Sequence, residues 1–144
     1  MEGTRVLGVD YGTVRIGLSV SDPLGIIAQP FQTLTNNDKF WVELKSIIGA
    51  QGIHLIVVGM PLNLKGEKGQ KAQEVEQFIE RVKKESKLEV IVWDERFTSV
   101  IAQQTLRSMG TKKSDRQKKG QVDSMAAAVM LQSFLDNTKR SLSC

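Results

Sequence analysis

The sequence predicts an α/β domain built on a five-stranded mixed sheet, three strands antiparallel and two parallel, flanked by helices. Three observations predict it. Near the N-terminus an apolar strand and an alternating strand are separated by only three residues. Farther on, two apolar strands bracket an amphipathic segment, which is the pattern of a strand, helix, strand unit. The remaining apolar residues recur at helical spacing.

Arg5-Val6-Leu7-Gly8-Val9-Asp10 is an apolar run that ends on an acid and enters the turn Tyr11-Gly12-Thr13. From Val14 to Ser21, Val14, Ile16, Leu18 and Val20 alternate with Arg15, Gly17, Ser19 and Ser21, the period of a strand with one wet face. Asp22-Pro23-Leu24-Gly25 is a second turn, and a third strand is expected around Ile26 to Leu34, completing a meander. Asn37 or Asp38 then caps a helix carrying Phe40, Trp41, Leu44, Ile47 and Ile48, which ends within Gly49 to Gly52.

Leu55 to Gly59 reads as a strand buried on both faces, followed by a glycine-containing loop from Met60 to Gly69. A long helix with the apolar stripe Ala72, Val75, Phe78, Ile79 and Val82 leads to the strand Val90 to Trp93. A right-handed crossover makes those two strands parallel. Thr98 is placed to cap a helix to about Arg107, and a basic, mobile loop is expected over about 108–120. The final helix is expected over about Gln121 to Asp136, packing Val122, Met125, Ala126, Val129 and Leu135, with a frayed tail over about 137–144.

With 144 residues the chain is long enough for one core and too short for two, so residues 1–144 are expected to form a single domain. The one cysteine, Cys144, leaves no partner for an internal disulfide and no cysteine cluster for zinc. No apolar run approaches the roughly 20 residues of a membrane-spanning helix, and the N-terminus lacks a signal-peptide core. The expected location is the cytoplasm. The net charge of +4 permits a nucleic-acid partner without requiring one.

Three acids stand where chemistry can use them. Asp10 closes the first strand, Glu95 follows the last, and Asp123 lies in the first turn of the expected final helix. Ligands of open α/β sheets gather at the carboxyl ends of the parallel strands, where the first two acids belong. Converging carboxylates repel unless a cation neutralises them, and hard oxygen donors favour Mg²⁺ or Mn²⁺. One or two such ions, a pair being roughly 4 Å apart, activate water at a phosphodiester.

Each acid taken alone has a structural use: Asp10 in a turn, Glu95 in a pair with Arg96, Asp123 at a helix start. Asp94 and Glu95 alternate along a strand, so only one of them is expected to face the site. His54, the one histidine, opens a strand and has no second histidine to join. Asp22 reads as a turn residue.

Lys112, Lys113, Arg116, Lys118 and Lys119 surround one acid, Asp115. Such a run is either a solvated face or a set of phosphate contacts that bind without reading sequence. The loop from Gly59 to Gly66 can bring backbone N–H groups to a phosphate but lacks the Gly-Lys-Ser/Thr ending of a P-loop.

Four segments together resemble the YqgF (RuvX) family of Holliday-junction-resolvase-like nucleases, linked to maturation of pre-16S ribosomal RNA. They are Leu7-Gly8-Val9-Asp10-Tyr11-Gly12 with Arg15-Ile16-Gly17, Val58-Gly59-Met60-Pro61-Leu62, Asp94-Glu95-Arg96-Phe97-Thr98-Ser99, and Asp123-Ser124-Met125-Ala126-Ala127. The resemblance implies an RNase H-like fold. It carries a metal-binding catalytic site onto Asp10, Glu95 and Asp123, and nucleic-acid contacts onto Gly12, Thr13, Arg15, Arg96 and the loop lysines. It implies a nuclease acting at the 5′ end of pre-16S RNA, as a monomer or weak homodimer.

Three alternatives stand beside it. A four-way DNA junction resolvase would use the same acids but needs two sites and hence a dimer. A fourth carboxylate near the helix acid, frequent in resolvases, is missing, since position 126 is Ala126. Asp10-Tyr11-Gly12-Thr13 also resembles the phosphate loop of the actin and sugar-kinase ATPases, which need a second such domain. The third alternative is a non-catalytic RNA-binding assembly factor.

Overall fold

The computed structural model describes residues 3–60, 69–95 and 115–142, and side chains throughout except at the start of the second helix and at both ends of the last. The expected helix from Thr98 to Arg107, most of the loop after Met60, and Arg96, Lys112 and Lys113 lie outside the described residues.

Five strands and three helices are present among them: β1 (Arg5–Asp10), β2 (Arg15–Ser21), β3 (Ala28–Thr35), α1 (Lys39–Gln51), β4 (Ile53–Met60), α2 (Gln70–Ser86), β5 (Glu89–Asp94) and α3 (Asp115–Leu142). They form one sheet in the order β3-β2-β1-β4-β5. The meander β1, β2, β3 is antiparallel, while β1 pairs β4 and β4 pairs β5 in parallel, as the sequence predicts. No helix among the described residues is long and apolar enough to cross a membrane.

Strand alternation divides the core between the two faces of the sheet. Leu7 and Val9 of β1, Ile16, Leu18 and Val20 of β2, and Ile56 and Val58 of β4 meet α1 and α2 on one face. The predicted stripe of α2 seals this side, with Ala72, Val75, Phe78, Ile79 and Val82 all buried. On the opposite face Val6, Val57 and Trp93 pack with Met130, Leu131 and Leu135 of α3.

Helix ends follow local chemistry. Asp38 is the N-cap of α1 and makes no side-chain capping bond, while Asn37 Oδ1, one residue earlier, accepts the backbone N–H of Lys39 at 3.0 Å. Gly52, at φ 64°, ends it by donating its N–H to the Ile48 carbonyl, a left-handed position that glycine adopts without penalty. The turn at Asp22 is as expected: its Oδ1 accepts the N–H groups of Ile26 and Ile27 at 2.7 and 2.9 Å.

Three expectations are corrected. β2 has no wet face, because Ser19 and Ser21 are buried like the apolar residues that alternate with them. Its small residues make room for α3, and Ser19 Oγ donates to the Ala127 carbonyl at 2.9 Å. α3 runs from Asp115 to Leu142, so residues 115–120 are helical rather than loop, and 137–142 continue the helix. Lysine, arginine and glutamine are good helix formers, and a charge run is therefore compatible with either state.

The buried face of α3 also differs from the one expected. Ser124, Ala127, Ala128, Met130, Leu131 and Leu135 are buried, whereas Met125, Ala126 and Val129 are only half-buried. The sheet surface beneath selects that face. A Cβ on Gly8 would lie 3.0 Å from Leu131 Cβ and 3.3 Å from the Ala127 carbonyl oxygen, so the helix rests on bare backbone there.

Candidate nucleic-acid site

The three acids lie on one face of the sheet, at one end. Asp10 is the last residue of β1, and alternation from Val6 and Gly8 turns it toward α3. Its antiparallel partner in β2 is Gly17. A Cβ on Gly17 would fall 2.1 Å from the backbone oxygen of Asp123, so α3 presses its Asp123 turn directly onto that glycine. Two acids 113 positions apart in the chain thereby become neighbours across a single glycine.

Glu95 arrives from the other side. Gly59 pairs with Trp93 in the β4–β5 ladder, and the Glu95 side chain bends back over Gly59. A Cβ at that glycine would sit 2.8 Å from Glu95 Oε1. The β1–β4 ladder pairs Val9 with Val58, so Gly59 is the next step along from Asp10. Glycine at both 17 and 59 is what lets two acids lie flat against the sheet. Asp94 and Glu95 diverge as alternation requires: Asp94 lines the cleft beneath α2, while Glu95 lies over Gly59.

Arg15 is part of this site in a way the sequence does not predict. Its Nε donates to Asp123 Oδ2 at 2.7 Å, with the two side chains 41% and 29% exposed. The guanidinium thus supplies positive charge at a carboxylate. Among the described residues no three acids, histidines or cysteines are gathered closely enough to hold a single ion together. Carboxylates are nevertheless the hard-oxygen donors that would suit Mg²⁺ or Mn²⁺.

The other predicted contacts are distributed around the same edge. The Gly12 carbonyl accepts a hydrogen bond from Asn36 Nδ2 at 2.8 Å, and a Cβ on Gly12 would strike the Arg15 carbonyl oxygen at 2.2 Å. The β1–β2 turn therefore requires glycine at that position. Thr13 is exposed at its tip. Arg116, Lys118 and Lys119 lie on the first turns of α3 upstream of Asp123, on the backbone that leads to the site. His54 is exposed at the start of β4, at the other end of the sheet from the acids.

Sequence reasoning gave Gly17 and Gly59 no part in seating the acids and did not single out Asn36. The two glycines carried a usable signal, since an isolated glycine inside a strand marks a place where something approaches the backbone closely.

Comparison with known proteins agrees with this architecture. The RuvX family, described as Holliday junction resolvase, matches residues 4–137. A protein of Ruminiclostridium cellulolyticum named "Putative pre-16S rRNA nuclease" is 40% identical over 135 residues, covering 92% of this chain and 94% of its own. One of the same name from Acetivibrio thermocellus is 42% identical over 142 residues, covering 96% and 99%. Among solved structures, T. thermophilus RuvC in complex with Holliday junction substrate superposes with a TM-score of 0.57 at 12% identity, covering 94% of this chain and 96% of that one. That likeness makes the fold RNase H-like. By sequence over nearly its whole length, the chain belongs to the RuvX family.

Proposed function

We propose that this chain is a divalent-metal-dependent endonuclease that hydrolyses phosphodiester bonds in precursor 16S ribosomal RNA, at the 5′ end of the mature sequence. The observation that carries the reading is the convergence of Asp10, Glu95 and Asp123 on one sheet edge over Gly17 and Gly59. The names of the relatives supply the substrate.

Asp10, Glu95 and Asp123 are the residues that would hold Mg²⁺ or Mn²⁺, one ion or two. When bound, such an ion supplies an activated water and neutralises charge on the reacting phosphate. Everything else is done by the chain. Asp10 and Glu95 are held at strand ends and Asp123 by a helix pressed against β2, so the three acids stand at one end of the sheet. Arg15 neutralises Asp123 in the absence of substrate. When a phosphate reaches the edge, the guanidinium has a better partner, and Asp123 Oδ2 is released to the site. Gly12 and Thr13 bring the β1–β2 turn against the strand backbone, with Arg96 and the basic residues Lys112, Lys113, Arg116, Lys118 and Lys119 as phosphate contacts.

The family's description as Holliday junction resolvase favours a second substrate, branched DNA, for the same carboxylates. One experiment decides between them. A pre-16S RNA fragment and a four-way DNA junction are incubated in parallel with Mn²⁺ or with EDTA, using wild type and Asp10→Asn. Metal-dependent cutting of RNA by wild type alone is expected. Symmetric cutting of the junction alone would transfer the site to DNA, and binding of RNA without cutting of either would make the protein an assembly factor.

A further inference from the structure

On the opposite face of the same sheet edge lies a cleft of about 400 Å³ to which the carboxylate chemistry assigns no role. Its floor is aromatic. Tyr11 follows Asp10 in the chain and, by strand alternation, turns to the other face of the sheet. There its ring meets Phe78 of α2 at a centroid distance of 4.8 Å, and Trp41 of α1 lies 5.5 Å from Phe78. Phe78 is buried, but Tyr11 and Trp41 are only half-buried and present ring surface to the cleft.

The rim is polar and acidic. Asn36 and Asp38 come from the β3–α1 turn, and Glu74 and Gln77 from α2. Among the described residues the rim carries one cation, Arg81, and it is already engaged: its guanidinium lies 4.4 Å above the Trp41 ring and reaches Glu85 Oε2 at 3.5 Å. In a chain of net charge +4 this is an anionic patch beside a site for an anionic polymer. Among the described residues it offers a phosphate no uncommitted cation. What it suits is a neutral, flat group with N–H donors at its edge.

We infer that this cleft receives one unpaired nucleobase of the RNA strand whose phosphate lies at Asp10. The inference rests on the nuclease reading above and adds a base-binding subsite to it. Single-stranded RNA is recognised by splaying bases onto aromatic side chains and pairing their edges with polar groups. Tyr11 supplies ring surface, and the Arg81 guanidinium lying over Trp41 supplies a second flat surface against which a base stacks. The side-chain amides of Asn36 and Gln77 pair with either donors or acceptors, and the carboxylates of Asp38 and Glu74 accept from amino and imino N–H groups. Pockets of a few hundred Å³ hold groups of this size. The connection between the two sites is short, because the strand need only cross the Gly12–Thr13 turn, and Asn36 holds that turn through the Gly12 carbonyl.

The test is a titration by ¹⁵N NMR in EDTA, so that binding is read without cleavage. The two tryptophans give two indole N–H resonances, and Trp41→Phe assigns them. A single-stranded oligoribonucleotide should shift the Trp41 resonance and leave Trp93 in place, while the same backbone with abasic residues should leave both unmoved. Trp41→Leu should weaken affinity for the single-stranded RNA at least about five-fold, the low end of what stacking one base contributes. Asp38→Ala, at an exposed position whose side chain makes no capping hydrogen bond to α1, should weaken it in the same direction.

RNA binding that leaves the Trp41 resonance unmoved would overturn the subsite and leave the nuclease reading standing. Failure of wild type both to bind RNA in EDTA and to cut it with Mn²⁺ would overturn both.

Discussion

Arg15 Nε and Asp123 Oδ2 are 2.7 Å apart, and this contact ties the first residue of β2 to the helix that closes the chain. Both side chains are partly solvated, so water and salt screen the pair and its contribution to stability is small. Its weight lies in function, because it sets the resting partner of a carboxylate that the proposed chemistry needs. A double-mutant cycle with Arg15→Ala and Asp123→Ala in urea is expected to give a coupling of about 0.5 kcal/mol, shrinking between 0.05 and 0.5 M salt as exposed pairs do. A coupling of several kcal/mol, unchanged by salt, would make the pair a structural one.

The three carboxylates are expected to behave alike in activity and differently from alanine scans of the core in stability. Asp10→Asn, Glu95→Gln and Asp123→Asn each remove charge with little change of volume. Each should lower metal-dependent cleavage at least about a hundred-fold, since an ion contributes several kcal/mol to the barrier. Circular dichroism and the urea midpoint should stay close to wild type. Full cleavage by any one of them would remove that residue from the site.

Gly17 and Gly59 both leave space beside an acid, yet their substitution should read out oppositely. At Gly17 a Cβ meets backbone of Asp123, which has nowhere to go without lifting α3. Gly17→Ala should therefore destabilise the fold by about 3 kcal/mol, the upper end of ordinary overpacking. At Gly59 the Cβ meets the movable end of Glu95. Gly59→Ala should keep thermal stability within about 1 kcal/mol of wild type while displacing that carboxylate and reducing cleavage. Thermal melts alongside cleavage rates check both halves.

Asp22 gives a prediction in pH. Its carboxylate accepts backbone N–H groups of Ile27 and Ile26, which hold its pKa below the ordinary aspartate range. A group with a lowered pKa in the folded state adds stability above its unfolded pKa of about 3.9, and that stability is lost as pH falls through the folded value. Asp22→Asn should thus be less stable than wild type at pH 6, with the difference narrowing below pH 4. A difference that grew on acidification would contradict the turn's role.

How far the sequence could be read depended on the range of the interactions involved. The stripe of α2 is a local periodicity, and Ala72, Val75, Phe78, Ile79 and Val82 are all buried as it predicts. α3 is different. Apolar and small residues run without a break from Met125 to Leu131, so no period selects a face. The choice is made by Gly8, Gly17 and Ser19, more than 100 positions upstream, which present a surface flat enough for Ala127 and Leu131.

The same contrast holds for the site. An acid after an apolar strand is visible in the chain, and so Asp10 and Glu95 could be named. That Arg15 turns to Asp123 depends on where α3 crosses β2, and nothing adjacent to either residue encodes it. Likewise Tyr11 reads as a turn residue and Trp41 as part of an apolar helix stripe until the turn and α2 are placed around them.

The reliance of the site on α3 has a consequence for the order in which the chain acquires its parts. The β1–β2–β3 meander joins neighbours in sequence and can form early, whereas contacts of high sequence separation come late because a long loop must first be closed. Asp123 reaches Gly17 only when α3 docks, and the two residues are 106 positions apart in the chain. A growing chain therefore holds Asp10 without its partner acid, and the proposed site is assembled only after α3 has been made and has docked.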